Sequence, residues 1–271
     1  MEMRGRVLVV AGSDSGGGAG IQADIKTITA LGAYATTAVT ALTAQDTRGV
    51  HATFDVPPYF LRRQIEVVLQ DIGADAIKIG MLAHTAMIET LCEVLERLAP
   101  GVPLVVDPVM VAKGGAMLLD SAAHAALKRS LVLRAAVITP NIPEAVALTG
   151  MSIAGTEDMV HAACMLLTLG PRAVLLKGGH LESETVSDVL VTDTAVEVFD
   201  APRIHSRHTH GTGCTLASAI ATGLAQGQSL HAAVLRARAY VRRAMEEAPG
   251  LGQGCGPLNH AHTVTPFRFE A

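Results

Sequence analysis

Four cysteines in 271 residues, Cys92, Cys164, Cys214 and Cys255, stand far apart and form no CxxC pair. That scarcity argues against a disulfide framework or a structural zinc site, and it suits a reducing cytoplasm. Charge is sparse too: Asp, Glu, Lys and Arg make up 17% of the chain, with a formal net charge of −4. The Lys and Arg residues are scattered, so no face fits nucleic acid and small molecules are the expected partners. No polar linker, repeat or low-complexity tract divides the chain, and its length suits one domain over residues 1–271. The uncharged run from Thr27 to Gln45 holds six threonines and a glycine, a poor membrane span where roughly 20 strongly apolar residues are needed. Arg4 and Arg6 precede VLVVA, which is too short for a signal peptide and closes on a Gly-rich loop, so it reads as a first strand.

What is abundant is aliphatic. A mean hydropathy of +0.37 suits a parallel sheet buried on both faces. Apolar runs bounded by Gly or Pro predict strands at Val7–Ala11, Ala35–Leu42, Ala76–Ile79, Leu104–Asp107, Ala136–Thr139 and Ala173–Lys177. Helical spacing predicts Ile21–Leu31, Tyr59–Asp71, Thr85–Leu98, Ser121–Leu133 and Thr156–Leu169, with a short helix in PNIPEAVALTG. SDVLVTD and AVEVFDA, with Thr194 between them, read as an antiparallel edge hairpin. Two helices follow, near Gly213–Ala225 and Leu230–Glu247. Strict alternation implies an α/β fold with a doubly wound, mostly parallel sheet flanked by helices. Ligands of such sheets gather at the strands' carboxyl ends, where Gly12, Gln45, Met81, Asp107, Asn141 and Lys177 fall.

Two loops stand out. GSDSGGGAG, Gly12 to Gly20, has five glycines in nine positions and offers a backbone surface to a flat or anionic ligand. It has no GK[ST] ending and no GxGxxG register, and a flexible turn would look the same. HGTGC, His210 to Cys214, opens a helix: Gly211 and Gly213 allow backbone angles that turn N–H groups inward, as an anion requires. A bland reading has Thr212 as an ordinary cap and the cysteine inert. A thiol at a helix N-terminus has a lowered pKa, which makes Cys214 a proton acceptor or, with His208 or His210 as base, a nucleophile.

Other chemistry-bearing residues have paired readings. His208, His210 and Cys214 as zinc ligands, with His260 and His262 repeating HxH, is the weaker alternative to surface or capping histidines. Lys177 neutralises phosphate or simply leaves the sheet. Asn141 and Glu144 orient a hydrated Mg²⁺ or cap a helix. Asp107 holds metal water or structures a loop. Val111–Leu119, VAKGGAMLL, offers a Gly-hinged flap, and Cys92 and Cys164 fall in helical core patterns.

Taken together, AGSDSGGGAGIQADIKT, TALTAQ, IKIGML, VVDPVM, TPNIPEA, LLKGGH, HGTGCTLASA and GCGPLNHAH resemble the hydroxymethylpyrimidine and phosphomethylpyrimidine kinases, within the ribokinase-like superfamily. The likeness runs from Val7 to Thr265. It implies ATP-dependent phosphorylation of 4-amino-5-hydroxymethyl-2-methylpyrimidine and then of its monophosphate, in thiamine biosynthesis, with Mg²⁺ and as a homodimer. By motif it implies Gly12, Asp24, Gln45, Met81 and Val109 around the pyrimidine. It implies Asn141, Glu144, Lys177 and Thr209 at the ATP phosphates, with Asp107 and Glu144 at the metal. Cys214, with Gly211, Thr212, Gly213 and Lys177, would carry the catalysis. Sugar kinases of the superfamily have Asp where this chain has Cys214, a departure that points to the pyrimidine and pyridoxal-like branch. The alternatives are a pyridoxal kinase, a nicotinamide-dependent oxidoreductase lacking its usual glycine register, and a ligand sensor without turnover.

Overall fold

A computed structural model describes residues 3–110 and 121–265. One nine-stranded sheet organises them, in the order β3-β2-β1-β4-β5-β6-β7-β8-β9. The strands are β1 (Arg6–Asp14), β2 (Tyr34–Gln45), β3 (Val50–Asp55), β4 (Ala76–Ile79), β5 (Leu104–Val106), β6 (Val137–Ile138), β7 (Ala173–Leu176), β8 (Thr185–Thr192) and β9 (Val196–Pro202). From β2 to β7 every neighbouring pair is parallel. β8 and β9 form the expected antiparallel hairpin at one edge, and β3 adds an antiparallel strand at the other.

Successive residues of a strand point to opposite faces, and here both faces are covered. Leu8, Val10, Ile77, Ile79, Val106 and Leu176 enter one core with helices α2 (Pro58–Asp71), α3 (Thr85–Leu98), α5 (Ile142–Thr149) and α6 (Thr156–Leu167). Val7, Val9, Ala11, Val105, Val137 and Leu175 enter the other with α1 (Gly20–Ala30), α7 (Thr212–Ala225) and α8 (Leu230–Glu246). This two-sided burial is why the strands read as apolar runs without alternation. Small residues let α7 lie deep: Ala217, Ala219 and Ala221 are fully buried, and a β-carbon on Gly223 would stand 2.5 Å from that of Ala233.

Three differences from the sequence reading have local causes. β1 continues past a bulge at Gly12, because Ser13 and Asp14 pair with Leu42 and Thr43 of β2. β3 was not expected, since VHATFD is largely exposed and carries no buried stripe. The helix expected over Ser121–Leu133 is α4 (Ser121–Ala126) followed by a π turn, Leu127–Leu131, and a 3₁₀ turn, Val132–Arg134. The flap expected at 111–119 lies outside the described residues. Among the described residues no helix is long and apolar enough to cross a membrane.

Candidate functional site

The strands' carboxyl ends and the first turn of α7 enclose a cavity of about 1300 Å³. Gly211 precedes that helix with φ at 83°, and a β-carbon there would sit 1.9 Å from the Gly18 carbonyl oxygen. Only glycine fits. Thr212 is the first helical residue rather than the cap, and no side chain caps the helix. Its hydroxyl donates to the Thr209 carbonyl at 3.2 Å, while Thr209 Oγ1 lies 3.3 Å from Cys255 Sγ. The Gly213 and Cys214 amides occupy the positions of a first turn that have no intrahelical acceptor, so the positive end of α7 faces the cavity.

Lys177 and Asp107, each one residue beyond its strand, meet opposite that turn. Lys177 Nζ donates to Asp107 Oδ1 at 2.8 Å, and Thr139 donates to the same oxygen at 3.0 Å. A β-carbon on Gly213 would come within 3.1 Å of Lys177 Nζ. Burial alone would push the Asp107 carboxyl up, yet Lys177 and Lys78 hold it below the usual range. Lys177 is raised, because Asp107 and Glu144 outweigh the burial that opposes it.

Asn141 and Glu144 form a capping box on α5. Asn141 Oδ1 accepts from the Glu144 amide at 2.9 Å and the Asn141 amide donates to Glu144 Oε2 at 2.7 Å. The capping reading therefore holds, and both residues also line the cavity. Burial raises the Glu144 carboxyl to about 7, with Lys177 pulling against it and Asp107 adding to it.

Cys214 departs from its expectation. It is partly exposed to the cavity and accepts a hydrogen bond from the Gly20 amide, yet burial of the sulfur pushes the thiol up to about 11. Lys78 is the main influence lowering it, against Asp24 and Asp107. The helix-end rule that predicts an acidic thiol is outweighed here by desolvation.

Asp24 departs as well. It is wholly buried, bonded to Lys78 Nζ at 2.8 Å and to the Ser218 hydroxyl at 2.7 Å. It lies beneath the cavity rather than around a ligand, because its place on the buried face of α1 turns it into the sheet. Lys78 explains why: in AIKI, strand alternation sends this lysine to the α1 and α7 face, where Asp24 alone offers it a carboxylate within salt-bridge distance among the described residues. Burial raises the Asp24 carboxyl overall, although Lys78 and Ser218 oppose it. A lysine inside an apolar strand was the sequence signal for this pair.

Gly12, Gln45, Met81 and Val109 line the other end of the cavity. A β-carbon on Gly12 would stand 2.6 Å from Met81 Cε, so the glycine leaves room for the end of the Met81 side chain. Asp14 and His210, not assigned to the pyrimidine from sequence, stand beside Gln45: His210 Nε2 is 2.8 Å from Asp14 Oδ2 and 3.3 Å from Gln45 Nε2. Among the described residues no three His, Cys, Asp or Glu side chains group as a metal site. His260 of the second HxH pair is buried and faces the Tyr240 hydroxyl at 3.2 Å. Cys92 is buried as expected, but Cys164 is exposed on α6.

The sequence signature described as phosphomethylpyrimidine kinase matches residues 14–259. A hydroxymethylpyrimidine/phosphomethylpyrimidine kinase of Streptomyces coelicolor is 47% identical over 94% of this chain and 93% of its own. The thiamine biosynthesis bifunctional protein ThiED of Geobacter sulfurreducens is 52% identical over 95% of this chain, which spans 52% of that longer protein. Among solved structures, the pyridoxal kinase from Staphylococcus aureus in complex with AMP-PCP and pyridoxal superposes with a TM-score of 0.88 at 33% identity, over 97% of this chain and 96% of its own. With a matching signature across most of its length and relatives this similar, the chain belongs to the phosphomethylpyrimidine kinase family.

Proposed function

We propose that this chain, acting as one domain, transfers the γ-phosphoryl group of ATP to the hydroxymethyl oxygen of 4-amino-5-hydroxymethyl-2-methylpyrimidine. It then phosphorylates the monophosphate to the diphosphate, in thiamine biosynthesis. One observation carries the reading: a single cavity has an amide-rich helix end with Lys177 on one side and the Gly12, Gln45 and Met81 surface on the other. A flat ring bearing donor and acceptor atoms suits the second; a transferring phosphoryl group suits the first.

The Gly213 and Cys214 amides stabilise charge developing on the transferred group, and Lys177 neutralises the phosphates beside it. Asp107 keeps Lys177 charged and aimed, and Thr209 buttresses the turn through its carbonyl. With its thiol at about 11, Cys214 rests protonated and about one molecule in 10⁴ carries thiolate at pH 7. That thiolate takes the hydroxyl proton, while the loose character of phosphoryl transfer leaves the larger part of the work to the anion cradle. Glu144 and Asp107 suit a hydrated Mg²⁺, since two carboxylates are few ligands and such an ion keeps waters and phosphate oxygens for the rest. Held by these two carboxylates, such an ion would supply positive charge beside the phosphates. The protein works in the cytoplasm as a homodimer, in keeping with the resemblance.

Incubation with ATP, Mg²⁺ and the hydroxymethylpyrimidine, followed by mass analysis, should give the monophosphate and then the diphosphate. A parallel incubation with pyridoxal tests the second reading, which the superposed pyridoxal kinase motivates. Pyridoxal phosphate as the faster product would replace the first reading with the second.

A further inference from the structure

Gln45 sits between two polar pairs, and counting their protons fixes more than its position. Its backbone is pinned by Ser15, whose Oγ accepts from the Gln45 amide and donates to the Gln45 carbonyl, both at 2.8 Å. On one side of the side-chain amide stands His210, packed so closely on the loop that a β-carbon on Gly18 would meet its Cδ2 at 2.5 Å. On the other side stands Thr43, whose Oγ1 is 3.1 Å from Gln45 Oε1.

Asp14 decides the first side. Its carboxylate accepts from the amides of Gly16, Gly18 and Ala19 at 2.8, 3.0 and 2.8 Å. Burial would raise its pKa, but His210 and these amides hold it below the usual carboxylate range. An ionised carboxylate has no proton to give, so the proton in its 2.8 Å contact with His210 belongs to Nε2. That N–H cannot accept from an amide nitrogen, and the group it favours from Gln45 is the carbonyl. Ser13 decides the second side: Thr43 has one hydroxyl proton and donates it to the Ser13 carbonyl at 2.9 Å. Toward Gln45, Thr43 can then only accept, and the group it favours is the NH₂. A half-turn about the terminal torsion meets both demands at once.

We propose that the Asp14–His210 and Ser13–Thr43 pairs lock the Gln45 amide with its oxygen toward His210 and its nitrogen toward Thr43, and so set which ring the site accepts. The argument rests on the reading of this cavity end as the ring pocket. The locked amide has one oxygen lone pair and one N–H left for a ligand, in a fixed order. With the ring seated so that its exocyclic group faces the amide oxygen and its ring nitrogen faces the amide N–H, the edge that answers both is the amidine edge of a 4-aminopyrimidine. The 4-oxo analogue presents the reverse, an accepting oxygen beside a ring N–H. His210, Asp14 and Thr43 are thus positioning residues that act on specificity through Gln45.

The orientation can be read directly by nuclear Overhauser contacts in the wild-type protein: the Gln45 NH₂ protons should approach the Thr43 methyl, and His210 should carry its proton on Nε2. Contacts from that NH₂ to the His210 ring, or a proton on Nδ1 alone, would overturn the lock. The consequence is read by kinetics and titration with the amino and oxo pyrimidines. Wild type should favour the amino form by on the order of 100-fold or more. The shape-conserving pair His210→Phe with Thr43→Val frees the amide and should cut that ratio at least about tenfold; an unchanged ratio in the folded variant contradicts the specificity role. If wild type phosphorylates neither ring, the proposed function fails, while the proton contacts and the two binding titrations still decide the lock.

Discussion

Lys177 donates to Asp107 across 2.8 Å although 70 residues separate them in the chain. Both emerge at strand ends on the same edge of the sheet, and the pair faces the first turn of α7. A lysine held by a carboxylate this deeply buried is charged and immobile before any phosphate arrives, the condition for electrostatic help without reorganisation.

Replacing that lysine separates charge from fold. Lys177→Met should lower kcat/KM by about 10²–10³ while circular dichroism stays native. Lys177→Arg should fail to rescue, because the space beside Gly213 is already tight. Activity within a few-fold of wild type in either variant would remove Lys177 from the reaction.

Two glycines of the same loop should behave in opposite ways. Gly211→Ala meets a positive φ and the Gly18 carbonyl at 1.9 Å, so its unfolding free energy should fall by about 2 kcal/mol or more. Gly213→Ala meets side-chain ends alone, the Lys177 ammonium at 3.1 Å and Asp107 Oδ2 at 3.4 Å, and is helical, so its melting point should hold. Its turnover should drop roughly 10–100-fold as the ammonium is displaced. Denaturant titration beside a turnover assay checks both halves.

A thiol at about 11 makes a pH prediction. Alkylation of Cys214 by iodoacetamide should rise about tenfold per pH unit from pH 7 to 10, since only thiolate reacts; a plateau below pH 9 would contradict it. Cys214→Ala should keep nucleotide binding and lose turnover by about 10², and unchanged turnover would leave the cysteine outside the mechanism.

Glu144 carries a stability cost with a definite sign. Its carboxyl is raised to about 7 in the folded chain, so the folded state binds a proton that an unfolded one, near 4.5, releases. The favourable contribution is present below about pH 4.5 and is lost as pH rises through 7. Glu144→Gln mimics the protonated acid and can keep the capping box. It should therefore stabilise the ligand-free protein at pH 8 by about 3 kcal/mol at most, with the gain fading as pH falls to 4.5. Thermal melts across that range test it, and a gain independent of pH would contradict the assignment.

The parts of this fold that were legible in sequence are those where one local signal dominates. The helix Thr85–Leu98 and the strand Ala76–Ile79 have the same limits in sequence and structure, since periodicity and flanking breakers agree there. Val50–Asp55 was illegible because an exposed edge strand has no buried stripe to betray it. Within the site, Lys177, Asp107 and the Gly211–Cys214 turn gather as their strand-end and helix-start positions implied. Asp24 did not, because its partner Lys78 lies 54 residues away and nothing local distinguishes a ligand-facing carboxylate from one neutralised in the core. The cysteine's acidity failed for a related reason: helix position is written in the sequence, whereas burial of one sulfur atom is a property of the assembled fold.

The central claim is that the open amides at the start of α7 receive the terminal phosphate of the nucleotide. Backbone amide resonances of ¹⁵N-labelled protein, followed while Mg²⁺ and the non-hydrolysable analogue AMP-PCP are added, test it most directly. The account predicts large downfield shifts at Gly213 and Cys214, which Lys177→Met diminishes. Shifts confined to the Gly16–Ala19 loop, with Gly213 and Cys214 unmoved at saturation, would contradict it.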